Sequence, residues 1–418
     1  MPDRYPSSSP SSIAAVGFAL TAYPIGVERG YISRGEAISR VLTTLRFFEA
    51  APQGPGPEGT TGYKGFFYHF LDMRTGVRSG PQIELSTIDT TLLLGGVLFC
   101  QSYFDASDPA EAEIRDLAER IYARVDWNWA TPRSPLVTMG WRPDVGFYES
   151  EWRIYDESML LYVLGLGSPD HPLPDGAWAA YTETRRVQEY RGYTHINFAP
   201  LFGHQYSHLW IDFRDLHDDV TARIGFDYFE NSRRATLAQR EYARANPAGW
   251  IGYGDHVWGL TACDGPDGAA LVNRRPIQFR GYFARGAAYG QELDDGTIAP
   301  TAAIGSMPFA PEVVVPAALA LHQRYGAHLY SSYGFLDAFN PSVPDGTPVK
   351  QGRVVPGAGW FDTDYLGIDQ GPILAMIENH RNGFVWSVMR RNPHIQKGLL
   401  RAGFRGGWLE GFRLRPAA

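Results

Sequence analysis

The sequence predicts an all-α protein, an (α/α)6 barrel with short β-hairpins on its loops. Three observations lead there. Apolar residues recur at three- and four-residue spacing in about twelve segments. These segments follow one another in hairpin-like order, joined by long polar loops, and no regular strand–helix alternation runs through the chain. With 418 residues, 44% of them hydrophobic, the chain can bury a large core, and no flexible linker interrupts it. Residues 1–418 therefore read as one domain. An open helical array would share the periodicity, but no fixed repeat length is present.

The elements can be taken in order. Ile13 to Tyr23 and Glu36 to Phe48 form a helix pair. Gln53 to Gly62 is rich in Pro and Gly and is expected as a surface loop. Ser86 to Phe104 is an apolar helix entered through a Ser-Thr-Ile-Asp start, and Pro109 to Val125 follows it. Then come Glu157 to Gly165, Trp178 to Tyr181 and one long charged helix from Phe213 to Ala245. The last helices are Pro311 to Tyr325, Gln370 to Asn379, Phe384 to Met389 and Pro393 to Arg401. Gly65 to Phe70 and Gly146 to Tyr148 look like hairpin pieces on loops.

Composition excludes several function classes. The net charge is −7 with both signs spread along the chain, and no Lys/Arg block suggests nucleic acid or an anionic membrane. No apolar run is long enough to span a bilayer. Cys100 and Cys263 make no disulfide framework, and the histidines lack zinc spacing, so no metal and no cofactor is expected. The polar, Ser/Pro-rich stretch 1–12 lacks the order of a secretory leader. This favours the cytoplasm and leaves the periplasm open if a leader was removed. Many of the 11 Trp, 23 Tyr and 23 Phe lie in Gly/Pro-rich connections, which suits a ring-lined cleft.

The most informative stretch is Ile154-Tyr155-Asp156-Glu157-Ser158-Met159-Leu160. Two adjacent carboxylates stand among aromatic rings at the mouth of an apolar helix, an environment that raises a carboxyl pKa and keeps a proton for general acid work. Asp156 also reads as a helix cap. Adjacent helical residues point about 100° apart, so one member faces the cleft, and Glu157 is favoured. Rings beside carboxylic acids suit the holding and cleaving of sugars, which needs two carboxyls.

Glu84 and Asp89 flank Ser86-Thr87 at another helix start. There a capping box is one reading, and a carboxylate at the positive end of the helix, facing a cleft, is the other. Phe202 to Arg214 is dense in His, Gln, Tyr and Trp. His204 and His208 stand four apart without an HExxH pattern, so hydroxyl binding or packing is favoured over metal. Aromatic–polar clusters recur around Trp258, at Tyr282 and Arg285, at Asp337, and from Trp360 through Asp362 to Tyr365.

Together these segments resemble the glucoamylase-like family that includes glycoside hydrolase family 144, the bacterial endo-β-1,2-glucanases. The likeness rests on Thr44 to Phe48, Glu84 to Thr90, Tyr155-Asp156-Glu157 with Leu164 to Pro169, Phe202 to Phe213, Gly259 to Pro266, Phe309 to Glu312 and Gly367 to Gly371. The resemblance implies an (α/α)6 barrel and inverting hydrolysis of β-1,2-glucan. The chain is similar also to the transglycosylating domain of cyclic β-1,2-glucan synthases, which retains configuration. By this likeness Glu157 is the central acid of a Tyr-Asp/Asn-Glu motif, with Asp156 where Asn is more usual.

The expected protein is thus a monomeric hydrolase of β-linked glucan. Glu157 serves as acid, and Asp89, Asp337 or Asp362, in that order, activates water. Trp152, Tyr155, Trp258, Tyr282, Trp360 and Tyr365 are expected to stack on sugars. Glu84, Asp156, His204, Gln205 and Arg285 are expected to bind substrate. A retaining transglycosylase or exo-acting enzyme, and a non-catalytic glucan-binding protein, are the alternatives.

Overall fold

The computed structural model describes residues 1–413. Residues 414–418, the end of the span read as one domain, lie outside the described residues. Among the described residues there are fourteen α-helices and many strands of two to four residues. The helices are α1 (Ile13–Glu28), α2 (Arg34–Ala50), α3 (Thr87–Tyr103), α4 (Pro109–Ala123), α5 (Met159–Gly167), α6 (Ala177–Thr182) and α7 (Tyr206–Trp210). They continue as α8 (Asp219–Ile224), α9 (Tyr228–Ala245), α10 (Pro300–Ile304), α11 (Pro311–Leu329), α12 (Gly367–Asn382), α13 (Phe384–Met389) and α14 (Pro393–Arg401).

Sequence decides which helices lie inside. Nearly every residue of α3 and all of α5 are buried, as is most of α1, and a helix that is apolar all round belongs in the middle of a structure. By contrast α2, α4 and α14 bury one stripe and expose charge on the other face. The packing follows. Helix α1 lies on α3, α3 on α5, α5 on α7, α7 on α12 and α12 back on α1, with α10 against α12. Outside them, α2 and α4 pack on each other and on α1 and α3, α14 packs on α5, and α11 on α10.

Glycine sets the closest of these contacts. A Cβ on Gly17 would stand 2.1 Å from the carbonyl oxygen of Leu92, and one on Gly96 would stand 2.1 Å from that of Gly17. The backbones of α1 and α3 therefore touch. Beside them the Trp210 indole stacks on Phe18, with centroids 5.3 Å apart, and donates to Thr21 Oγ1 at 3.0 Å.

The structure corrects three expectations. The long helix over 213–245 does not exist. After α7 the chain turns, α8 starts on Asp218, whose carboxylate accepts from Thr221 N at 2.8 Å, and it ends at Gly225 with φ 82°. Asp227 then caps α9, accepting from Glu230 N at 2.7 Å. Helices α7 and α10 were not expected, because five residues are too few to establish a period. Finally, the two expected hairpin pieces belong to one five-stranded antiparallel sheet, Gly62–Tyr63, Phe66–Tyr68, Leu85–Ser86, Gly140–Arg142 and Gly146–Phe147. Its central strand, Leu85–Ser86, runs straight into α3. Similarly, Tyr365–Leu366 pairs with the N-terminal strand Arg4–Tyr5 and runs into α12. Among the described residues no helix is long and apolar enough to cross a membrane.

The backbone contact predicts the effect of Gly17→Ala. The new methyl meets a carbonyl that cannot swing aside, so overpacking should cost about 2–3 kcal/mol, read as a lower denaturant midpoint. An unchanged midpoint would show that α1 and α3 can separate freely.

Candidate active site

The N-terminal ends of the inner helices meet at one rim. A Cβ on Gly367, the first residue of α12, would lie 2.6 Å from that of Ala15 in the first turn of α1. Thr301 Oγ1 in α10 donates to Asp369 O in α12 at 2.9 Å. Ser207 Oγ in α7 accepts from Leu160 N at 3.0 Å and donates to Glu157 O at 2.6 Å, tying α7 to the start of α5. Helix N-termini carry partial positive charge and favour carboxylates, and this rim is rich in them.

Glu157 immediately precedes α5 and is half-buried. Burial first, then the charges of Asp156 and Asp89, hold its carboxyl well above the usual range. A raised proton affinity is what a proton donor requires. Asp156, expected to bind substrate, instead points inward. It is 2% exposed, and its Oδ1 accepts from Ser158 N at 3.0 Å, from Ser158 Oγ and from Tyr181 Oη. Burial pushes it up to about 6, while Ser158 and Arg185 pull the other way. The Arg185 guanidinium behind it is ringed by Tyr155, Trp178, Tyr181 and Tyr228 at 4.7–5.5 Å.

A second group of acids gathers from three loops and the first turn of α12. Asp337 and Asp369 are buried neighbours. Burial, then Asp369 and Asp264, push Asp337 far up, and burial lifts Asp369 to about 7, with Asp337 opposing the rise. Asp337 Oδ2 also accepts from Asp264 N at 2.8 Å. Asp337 Oδ1 and Asp369 Oδ2 have no partner. Asp362 is pushed up to about 9 by burial and by Asp337 and Asp264, and its Oδ1 accepts from Thr363 N at 2.7 Å. Between the two groups stands Tyr206, 4% exposed, whose phenol burial pushes far up, with Asp369, Tyr282, Glu157 and Asp337 adding to the effect.

On the opposite side of Glu157, His69 bridges two of the expected residues. Its Nδ1 lies 2.8 Å from Glu84 Oε1 and its Nε2 lies 3.4 Å from Asp89 Oδ1. Burial alone would lower the imidazole, but Asp89, Glu84 and Asp3 together push it up to about 9. Asp89 also takes a hydrogen bond from Ser86 Oγ at 2.5 Å, and Ser86 Oγ caps α3 by accepting from Asp89 N at 3.1 Å.

Most of the expected sugar contacts are core residues. Trp258 and Trp360 are fully enclosed, Trp360 Nε1 donating to Gln351 O at 2.6 Å. Tyr155 packs on His204, and Trp152 donates to Thr87 Oγ1 at 2.9 Å. Tyr365 accepts from Tyr333 N at 3.2 Å and lines a separate groove between α1 and α12. Arg285 is spent on Asp295, at 2.7 and 2.9 Å. Gln205 Nε2 donates to Ala302 O and Ser306 Oγ, both at 2.8 Å, and His204 Nε2 meets Phe198 O at 3.1 Å. Tyr365 apart, these groups are enclosed by protein. Of the expected rings, Tyr282 alone is open, with 53% exposure.

Sequence reasoning missed His69, Tyr206, Asp264 and Asp369. A signal for Asp369 was present: Thr87-Ile88-Asp89 and Gly367-Ile368-Asp369 both place Ile-Asp at the second and third positions of an inner helix. Burial pushes His204 and His208 down to about 3, and His208 Nε2 lies 3.1 Å from Ser232 Oγ. Two other sets have oxygen and nitrogen atoms within 4.8 Å of one another and could hold a cation, His69 with Glu84 and Asp89, and Asp264 with Asp337 and Asp362. In the first the imidazolium itself supplies positive charge. In the second Arg4 Nη1 does, 2.5 Å from Asp264 Oδ2.

The model of a family described as "Putative glucoamylase" matches residues 149–393. An exo β-1,2-glucooligosaccharide sophorohydrolase (non-reducing end) of Parabacteroides distasonis is 28% identical over 417 residues, covering 92% of this chain and 52% of that protein. The chain thus spans about half the length of the curated relative it matches. The endo-β-1,2-glucanase of Chitinophaga pinensis, solved with sophorotriose and glucose, is 27% identical with a TM-score of 0.80, over 97% of this chain and 93% of that one. A structure from Bacteroides uniformis, described in the same words as the family, is 29% identical with a TM-score of 0.82, over 98% and 92%.

The His69 cluster predicts a pH dependence of stability. Its folded value of about 9 lies above the ordinary 6.5, so its contribution is complete below pH 6.5 and is lost as pH rises through 9. Melting temperature should fall across that window, and His69→Gln should flatten the slope. A slope unchanged in the variant would exclude the imidazolium as its source.

Proposed function

The chain belongs to this glucoamylase family, and on that premise we propose that it is a glycoside hydrolase cleaving β-1,2-linked glucan by general acid–base catalysis with inversion. The names of the Parabacteroides and Chitinophaga relatives support the substrate class. The circuit of α1, α3, α5, α7 and α12, with α10 against α12 and outer helices over them, supports a single-domain (α/α)6 barrel. We read it as acting as a monomer. The observation that carries the chemistry is the placing of Glu157 at the mouth of α5 and of Asp369 in the first turn of α12, both close enough to Tyr206 to act on its phenol and both raised above the ordinary carboxyl range. Titratable groups whose environments are driven apart mark an acid and a base.

In this reading the Glu157 proton passes to the glycosidic oxygen as its bond to the anomeric carbon breaks. Water attacks that carbon from the other face and gives its proton to Asp369. Asp337, buried beside it, helps to position Asp369, whose Oδ2 has no protein partner. Space for water between the two carboxyls is what makes the reaction invert. Asp89 is less suited to the task, since its oxygens are engaged by His69 and Ser86. Asp362, held protonated by burial and Asp337, has no charge to offer. Tyr282 offers a face to a sugar ring, and Glu84 accepts from hydroxyls. Exo action on oligosaccharides is the second reading, favoured by the name of the Parabacteroides relative.

The test is hydrolysis of linear β-1,2-glucan. Glu157→Gln should keep the circular dichroism spectrum and lower kcat about 10²–10⁴-fold. The anomer first seen by NMR should be inverted, and product lengths separate endo from exo action. Near-normal turnover in the variant would remove Glu157 from the acid role, and glucan binding without release of reducing ends would make the protein a binder.

A further inference from the structure

Three loops of the second half of the chain bring acids to one point. Asp264 follows the strand Ala262–Cys263, and Asp337 and Asp362 flank the paired strands Phe339–Asn340 and Gly359–Phe361. Cross-strand bonds continue past the strand ends, Asp362 N donating to Ala338 O at 2.9 Å and Asp337 N to Asp364 O at 3.0 Å. The Asp264 loop is held by its own N–H, which donates to Asp337 Oδ2 at 2.8 Å, and by Arg285 Nη1, which donates to Cys263 O at 2.9 Å. Asp264, Asp337 and Asp362 are 2%, 2% and 0% exposed, and one oxygen from each lies within 4.8 Å of the others.

The partners of these carboxyls are unevenly distributed. On Asp337 the N–H of Asp264 occupies Oδ2, and Oδ1 has no partner. On Asp362 the N–H groups of Thr363 and Asp364 donate to Oδ1 at 2.7 and 3.3 Å, and Oδ2 has no partner. Two buried oxygens are thus left over where three carboxyls converge. Positive charge is short there. Arg4 Nη1 meets Asp264 Oδ2 at 2.5 Å, but the same guanidinium also stands 3.5 Å from Asp3 through its Nε. Arg285 is committed to Asp295 at 2.7 Å, and Gln351 Nε2 reaches Asp264, Asp362 and Asp364 only at 3.3–3.4 Å.

A carboxyl with one oxygen fixed by backbone N–H groups and the other left over has the arrangement of a metal ligand, since outer hydrogen bonds orient the group and the free oxygen binds. Every donor here is oxygen, which selects a hard cation over zinc or copper. Magnesium keeps several of its waters, whereas calcium accepts protein oxygens in irregular number, so a corner this enclosed suits calcium. We propose that Asp264, Asp337 and Asp362 form a calcium site that ties the three loops together. The ion replaces the protons these carboxyls hold without it. No spacing in the sequence announces the site, because its ligands stand at positions 264, 337 and 362. Calcium binding here is independent of glucan hydrolysis, so the failure of either leaves the other standing.

The experiment uses the full chain. Its calcium content is measured as purified, it is stripped with EDTA, and CaCl2 is titrated in by calorimetry while the melting temperature is followed. The expected result is one calcium per chain, retained or taken up in the titration, and a melting temperature raised by about 5 °C at saturation. Asp264→Asn and Asp362→Asn should each weaken binding at least about tenfold and remove the thermal response, while His69→Gln still binds. No bound calcium and no thermal response in the unaltered chain overturn the proposal. So does binding that persists in both aspartate variants and disappears in His69→Gln, which places the ion beside Glu84 and Asp89, and so does an equal response to MgCl2, which removes the assignment to calcium. Should neither aspartate variant fold, anomalous scattering from crystals of the unaltered chain grown in CaCl2 decides. A peak among the three carboxyls supports the site, and its absence there overturns it.

Discussion

Carboxyl groups held out of water at the ends of helices are the constraint on which this rim depends. A buried carboxylate without a partner is costly, so each acid must keep its proton, share one or find a cation. Two of these solutions occur side by side. Burial and acidic neighbours raise the proton affinity of Glu157, Asp362 and Asp337, and burial raises that of Asp369. Asp89 with Glu84, and Asp264, take the cations His69 and Arg4. The chemistry proposed for the site is a consequence of this sorting, since acids with different proton affinities within one rim can pass protons in a defined direction.

The scaffold makes that sorting possible. Backbone contact at Gly17 and Gly96 brings α1 and α3 close enough for their starts to share one rim. The short α7 contributes Tyr206 and Ser207 at its first two positions, one facing the acids and the other locking α5 in place. The small strands are equally purposeful. Leu85–Ser86 delivers Glu84 and Asp89 into α3, and Tyr365–Leu366 delivers Asp369 into α12 while accepting the N-terminal strand as its partner. A strand leading directly into an inner helix fixes the direction of the first-turn side chain better than a free loop could.

The sophorohydrolase and endo-glucanase relatives share the architecture with roughly a quarter of their residues identical. At that distance packing can be rebuilt many times over within one architecture. This agrees with the character of the expected contacts that turned out to be core. Trp360, Arg285 and Gln205 hold loops and helices in place through buried hydrogen bonds and an ion pair, and Trp258 does so by packing.

The sequence by itself determined the helical class, most helix positions and the importance of Glu157, because apolar periodicity and a carboxyl pair at a helix mouth are local properties. It also held the repeated Ile-Asp start that marks Asp89 and Asp369. It could not say which aromatic residues face solvent. Trp360 and Tyr282 stand in similar Gly-rich surroundings, yet one is sealed and the other half open, a difference set by what packs over them. Nor could it foresee that His69 would lie between Glu84 and Asp89, or that Arg4 would reach Asp264, 260 positions away. Proton affinity and ion pairing depend on neighbours in space, and for this rim those neighbours come from every part of the chain, so only the tertiary structure decided which acids are charged.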